Sequence, residues 1–259
     1  MLVWCFAAGL LFVGWNMTYC VGTKLAAGLV MASDSRTNAG VDQIATFCKM
    51  SVFEQPDERV IIMLTAGNLA TSQSVVSLLR QRLQGEGEHL YNRKSMYDVA
   101  CLLGATLREV ILRDSKPVKE MGQTGVDFGS TFLLGGQIKG EPPRLFTIYP
   151  QGNFIEATPE TPYFQIGEAK YGKPIIDRVI RDDTPLTEAG KCVLISFDST
   201  IRSNISVGLP IDLICYHADS LRVTERHKIT DQDVYFQNIR GQWSNGLREL
   251  FTRLQNPDW

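Results

Sequence analysis

The chain predicts an α+β fold of four layers, an αββα sandwich in which two antiparallel sheets lie face to face between helical layers. Three observations carry this. Strands and helices come in blocks (strands, two helices, strands, two helices, strands, one helix), without the β-α-β alternation that a parallel sheet requires. The helices are amphipathic, each with one apolar face to lay on a sheet. No internal repeat and no low-complexity linker divides the 259 residues, so the chain reads as one domain.

The elements follow in order. Tyr19–Leu25 and Leu29–Asp34 read as strands joined at Ala26-Ala27-Gly28, with a glycine in the turn. Ile44–Phe53 and Arg59–Ala66 read as a second pair, joined across Gln55-Pro56-Asp57. After Gly67-Asn68, the apolar residues Val75, Val76, Leu79 and Leu83 recur at helical spacing. Ser95 caps a second helix with Asp98 three residues on, and Met96, Val99, Leu103, Leu107, Val110 and Ile111 mark its buried face. Thr131–Ile138, Arg144–Tyr149 and Phe154–Ile166 read as strands, and Gly135-Gly136 lets the first of them bend or pack closely. Lys173–Ile180 and Pro185–Ser199 read as helices, the latter with Thr184 as N-cap and Pro185 at its first position. Asp182-Asp183 is the acidic approach to that helix. Leu209–His217 and Leu221–Ile229 close with strands, and Asp233–Leu254 forms a final amphipathic helix.

Composition narrows the function. With 44% apolar and 21% charged residues the chain is an ordinary globular protein. A net charge of −2 and the lack of a lysine/arginine stripe with interleaved aromatics argue against nucleic acid as a partner. Cys5, Cys20, Cys48, Cys101, Cys192 and Cys215 are scattered, with no C-x-x-C pair, and read as reduced thiols of a cytoplasmic protein. His89, His217 and His227 have no ligand spacing, so no metal is expected.

The dipeptide Met17-Thr18 points to chemistry. If Thr18 is the first residue of the mature chain, it carries a nucleophile (Oγ) and a base (its own α-amine) on one residue. An α-amine has an unperturbed pKa of about 8, so it can take the hydroxyl proton directly or through one water. The stretch MLVWCFAAGLLFVGWN ahead of it would bury that amine in a peptide bond. It is too short for a membrane span, which needs about 20 apolar residues. No lysine or arginine precedes its apolar run, as one would in a signal peptide. Residues 1–17 are therefore expected to be a mis-assigned start, or a leader or propeptide removed in the cell, with residues 18–259 as the working domain. A membrane or export segment is the alternative.

Three further residues go with Thr18. Asp34 ends the first hairpin in Ala32-Ser33-Asp34-Ser35-Arg36. Lys49 lies in Thr46-Phe47-Cys48-Lys49-Met50, and Gly67 follows the fourth strand in Leu64-Thr65-Ala66-Gly67-Asn68. Period-two alternation allows Asp34 and Lys49 to share a face. The position of Gly67, at a strand end just before a helix N-terminus, favours negative charge.

With these residues the chain resembles the N-terminal half of proteasome β subunits. The resemblance is to the bacterial Anbu, or ancestral β-subunit, group of the N-terminal nucleophile hydrolases. Its hallmarks D-S-R-T-N-A-G-V-D and L-T-A-G-N-L-A-T-x-Q stand at residues 34–42 and 64–73. The likeness spans Met17–Asp258 and is most specific over residues 18–73. It implies the N-terminal nucleophile hydrolase fold and a threonine peptidase. Thr18 would be the nucleophile, Lys49 the cation beside its hydroxyl and Asp34 the partner that keeps Lys49 charged. Gly67 would be the amide donor to the oxyanion.

The second half departs from the family pattern. Proteasome β subunits carry a serine after the glycine that leads into their third helix, whereas Ile166-Gly167 is followed here by Glu168. Glu168 either takes that serine's place at the Thr18 amine or is a surface residue. Ser203 is the best candidate for a further side chain near the amine, with Asp198 and Ser206 as rivals. Thr37, Phe47, Ser51, Thr65 and Leu69 are candidates to line a specificity pocket. The resemblance further implies a homo-oligomeric ring or spiral, a peptide or protein substrate, and no cofactor, metal or membrane. The chain has no ATPase signature of its own. A non-catalytic assembly subunit, or an amidase for a small or specialised peptide, are the rival readings.

Overall fold

The computed structural model describes residues 18–38, 44–120, 122 and 125–259, so the expected leader, residues 1–17, lies outside the described residues. Among them the chain runs β1 (Tyr19–Leu25), β2 (Gly28–Asp34), β3 (Arg36–Asn38), β4 (Ile44–Thr46), β5 (Met50–Gln55), β6 (Arg59–Gly67), α1 (Leu69–Arg82) and α2 (Met96–Glu120). It continues through β7 (Ser130–Ile138), β8 (Arg144–Ile148), β9 (Phe154–Glu156), β10 (Tyr163–Gly167), α3 (Lys173–Val179), α4 (Leu186–Ser203), β11 (Ile211–His217), β12 (Glu225–Ile229) and α5 (Val234–Arg253).

Two five-stranded antiparallel sheets carry the fold, ordered β10-β1-β2-β11-β12 and β5-β6-β7-β8-β9, with β3 and β4 as a separate ribbon. The central strands bury both faces, and their side chains sort by period two. In β2, Val30 and Ala32 face α3 and α4, while Leu29 and Met31 point between the sheets. In β6, Ile61 and Met63 face α1 and α2, while Val60, Ile62 and Leu64 point inward. The expected αββα sandwich is therefore the observed architecture. Close packing at Gly135 is realised too: a Cβ there, or at Gly22, would come within 2.9 Å of Met31 Sδ. Among the described residues no helix is long and apolar enough to cross a membrane.

Four expected boundaries differ. The strand expected at Ile44–Phe53 is two strands in different sheets, β4 pairing with β3 and β5 with β6. The break falls at Phe47-Cys48-Lys49, where the Phe47 N–H turns away to the Ser35 carbonyl at 2.9 Å. The strand expected at Phe154–Ile166 is also two, β9 on β8 and β10 on β1. Between them a turn at Thr158–Thr161, which contains Pro159 and is followed by Pro162, both without an N–H donor, carries the chain from one sheet to the other. The strand expected from Leu221 begins at Glu225. The N-cap of α4 is Pro185 rather than Thr184, because the Thr184 hydroxyl accepts the Arg181 N–H at 2.8 Å instead.

Candidate active site

The β1–β2 hairpin sets the centre of the site. Its register opposes Cys20 to Ser33, which brings Asp34 at the end of β2 beside the start of β1. Asp34 Oδ1 accepts the Tyr19 N–H at 3.0 Å and Lys49 Nζ at 2.8 Å. Lys49 reaches this point because it sits at the break before β5. Its ammonium also donates to the Arg36 carbonyl at 2.6 Å, and its own carbonyl accepts the Thr65 N–H of β6 at 3.1 Å. Thr18, Asp34 and Lys49 are all buried, at 8%, 0% and 5% exposure. One carboxylate thus ties the residue after Thr18 to the lysine.

Burial dominates the electrostatics of Asp34 and pushes its carboxyl up to about 6, against the opposing pull of the Lys49 charge and of hydrogen bonds from Lys49, Tyr19 and Gly208. The carboxyl is therefore mainly ionised at neutral pH and neutral below about 6.

A second strand holds Thr18 from the other side. The Glu168 N–H, just past β10, donates to the Thr18 carbonyl at 2.7 Å. This approach demands Gly167, which has φ +80° and whose Cβ would overlap the Thr18 carbonyl. The Glu168 side chain is buried and its Oε2 accepts Asn204 Nδ2 at 3.0 Å. Asn204 Oδ1 in turn accepts the Ser206 N–H at 2.9 Å. Glu168 is therefore an interior residue of the site wall. Ser203 lies exposed on the last turn of α4. Asp198 is buried between Arg202 at 3.0 Å and Arg240 at 2.5 Å, where it ties α4 to α5. Asn204 was not singled out from the sequence. It is the residue that caps α4, and no spacing pattern links it to Glu168, 36 positions away.

Gly67 closes the strand β6 with φ +105°, and a Cβ there would sit 2.6 Å from the Gly129 carbonyl. The Thr65 N–H points to the Lys49 side of β6 and the Asn68 N–H to the Gly129 side, at 2.8 Å. Strand alternation therefore aims the Gly67 N–H toward the Lys49 side. Asn68 caps α1 by accepting the Thr71 N–H at 3.0 Å and donates to the Asp127 carbonyl at 2.9 Å. Two buried hydroxyls that sequence patterns did not flag brace this corner: Ser130 Oγ bonds the Ala66 carbonyl at 3.1 Å and Ser72 Oγ at 2.8 Å.

A cavity of about 570 Å³ opens beside Lys49, and Ser51, Thr65 and Leu69 of the expected specificity residues line it. Phe47 stands at the strand break with 37% exposure, and the Thr37 side chain lies outside the described residues. Among the described residues no cluster of three or more His, Cys, Asp or Glu could hold a metal. The described cysteines are free, and burial pushes the Cys192 and Cys215 thiols up to about 12 and about 11.

Residues 16–213 match the proteasome subunit family. No curated protein searched matches the chain. Among solved structures, Anbu from Yersinia bercovieri is similar at 57% identity and a TM-score of 0.88, over 93% of this chain and 100% of the other. The helical assembly of the Anbu complex from Pseudomonas aeruginosa is similar at 55% identity and a TM-score of 0.88, over 93% and 98%. An Anbu Gly-1 mutant from Hyphomicrobium sp. strain MC1 follows at 50% identity and a TM-score of 0.87, over 93% and 100%. The chain belongs to the proteasome subunit family, and within it to the Anbu, or ancestral beta-subunit, group.

Proposed function

We propose that the chain is an N-terminal nucleophile threonine hydrolase that cleaves amide bonds in peptide or protein substrates. The observation that carries this reading is the bifurcated Asp34 carboxylate, which holds both the Tyr19 N–H and Lys49 Nζ. It sets a buried cation beside the start of β1, where a free Thr18 would need one. Thr18 Oγ attacks the substrate carbonyl while its proton passes to the Thr18 α-amine. The Lys49 charge favours the developing alkoxide, and the Gly67 N–H donates to the oxyanion of the tetrahedral intermediate. The α-amine then delivers the proton to the leaving amine, leaving an ester on Thr18. Water, deprotonated by the same amine, hydrolyses that ester and restores the hydroxyl. The Glu168–Asn204 pair holds the wall behind Thr18 and orients its backbone.

This chemistry requires removal of residues 1–17, and it operates in a cytoplasmic homo-oligomer. Self-assembly is supported by the helical assembly of the Pseudomonas aeruginosa relative. Intact mass and N-terminal sequencing of the protein from its native host test the reading. A mature chain starting at Thr18, labelled by a threonine-directed covalent probe in wild type but not in Thr18→Ala, is the expected result. A mature chain that keeps its residues ahead of Thr18 overturns it in favour of a non-catalytic assembly subunit.

A further inference from the structure

The cavity beside Lys49 carries a charge pattern that the hydrolase reading alone does not require. It starts at Lys49 and Thr65, beside the nucleophile, and runs along one stripe of α1. Leu69, Gln73 and Arg80 stand on that stripe, spaced by whole helical turns, and Arg226 of β12 also lines the cavity. Among the described residues the lining holds no aspartate or glutamate.

Lys49 is neutralised by Asp34, but among the described residues no carboxylate comes within ion-pair distance of Arg80 or Arg226. Three further carboxylates are engaged by other groups. Glu225 bonds His217 at 3.1 Å, Glu54 accepts the Val223 N–H at 3.2 Å, and Asp212 accepts the Ser35 hydroxyl at 2.8 Å and, at 3.5 Å, the thiol of Cys48 in the cavity wall. Arg80 is held in place over the Phe53 ring, 5.7 Å from its centroid. Another cavity, about 540 Å³ beside β10, offers the contrast: its lysine, Lys173, is paired with Asp177 at 2.9 Å in the same wall.

Resting on the proposed hydrolase activity, we propose that this cavity selects a carboxylate side chain on the substrate residue that supplies the acyl carbonyl. Such a residue hangs its side chain past Thr65 while its carbonyl faces Thr18 and Gly67. Gln73 and Thr65 offer neutral hydrogen bonds along the way, and the two guanidinium groups receive the charge. A glutamate is the best fit, because its longer arm reaches further along the α1 stripe than aspartate does.

The test uses the full assembly of a chain whose first residue is Thr18, with a series of peptide epoxyketones that differ only at this residue: Glu, Gln, Leu and Lys. Covalent labelling rates are read by intact mass. The Glu probe should label about five- to ten-fold faster than the Gln probe at low salt, and the advantage should shrink in 1 M salt, where the Debye length is about 3 Å. Arg80→Gln and Arg226→Gln should each cut the advantage about two- to three-fold, with Arg→Lys at either site restoring most of it. Arg226→Glu should turn the preference toward the Lys probe. Equal labelling by Glu and Gln probes, unchanged in the arginine variants, overturns the specificity while leaving the hydrolase intact. Absence of labelling by every probe overturns the hydrolase. In that case binding of Glu and Gln peptides to Thr18→Ala, followed by fluorescence anisotropy, still decides the cavity's preference, equal binding counting against it.

Discussion

Two buried aspartates, Asp34 and Asp198, are held by cations in different ways. Asp34 pairs with a lysine that is itself 5% exposed. Asp198 pairs with Arg202 and Arg240, which remain 52% and 30% exposed. The arginines can return to water if their partner is removed, so the Asp198 cluster is a tie between α4 and α5. Lys49 has no such escape, so the charge at Asp34 is confined beside Thr18. A charge kept in a low-dielectric site beside Thr18 is what the proposed chemistry requires. Two guanidinium groups spread over a helix joint are organised for docking.

The largest expected effect comes from breaking the first pair. Lys49→Ala leaves Asp34 buried without its counter-charge, which should cost about 3–5 kcal/mol of stability and lower probe labelling of Thr18 by roughly 10²–10⁴-fold. Denaturant titration and labelling kinetics on the same preparation measure both. Retention of wild-type labelling would remove Lys49 from the chemistry. The matching change at the second site, Asp198→Ala, should cost about 1–3 kcal/mol and leave the labelling rate of folded protein within about two-fold. A large loss of labelling there would collapse the distinction between the two sites.

Acid sharpens the comparison. The Asp34 carboxyl lies at about 6 in the folded chain against an ordinary 3.8. Below about 6 it is neutral and Lys49 loses its counter-charge, so the labelling rate should rise with pH through that value. The stability contribution of Asp34 has the opposite sign: it is complete below about 4 and is lost as pH rises through about 6. Asp34→Asn should remove the rate limb near 6, whereas Asp198→Asn should keep it, as a pH series of labelling rates will report.

Backbone strain gives the next effect. Gly67→Ala must adopt φ +105° with its Cβ against Gly129, so it should cost about 1–3 kcal/mol in thermal or denaturant unfolding. The smallest effect is expected at Glu168→Gln, which keeps the backbone bond to Thr18 but weakens the charge-assisted bond from Asn204. A loss of about 1 kcal/mol and a change in labelling of only a few-fold are expected. A thousand-fold loss would instead make Glu168 a direct partner of the Thr18 amine.

Most of the fold could be read from the chain because its apolar pattern is local. α2 starts where Ser95 and Asp98 place it, with mutual side-chain and backbone bonds at the expected cap. β1, β6 and β11 are apolar runs buried on both faces, so their existence was plain while their inward and outward faces were not. The two strands that split, at Phe47–Lys49 and Pro159–Pro162, did so because a change of sheet leaves no mark on apolar periodicity. Thr18, Asp34, Lys49 and Gly67 were legible through their motifs in the first half of the chain. Asn204 and Ser130 were not, since they act through hydrogen bonds to residues far away in sequence.

The residues by themselves determined the order of elements, their amphipathic faces, the chemical type of the Thr18 group and the family motif that surrounds it. These depend on side-chain identity and short spacings. Only the tertiary structure decided that Asp34 bridges the Tyr19 amide and Lys49, and that Glu168 is an interior residue of the site wall. It alone revealed two arginines in the cavity beside the site that form no ion pair among the described residues. Hydrogen bonds and charge pairing operate over about 3–4 Å, and which groups come that close is set by strand register and sheet packing across the whole domain.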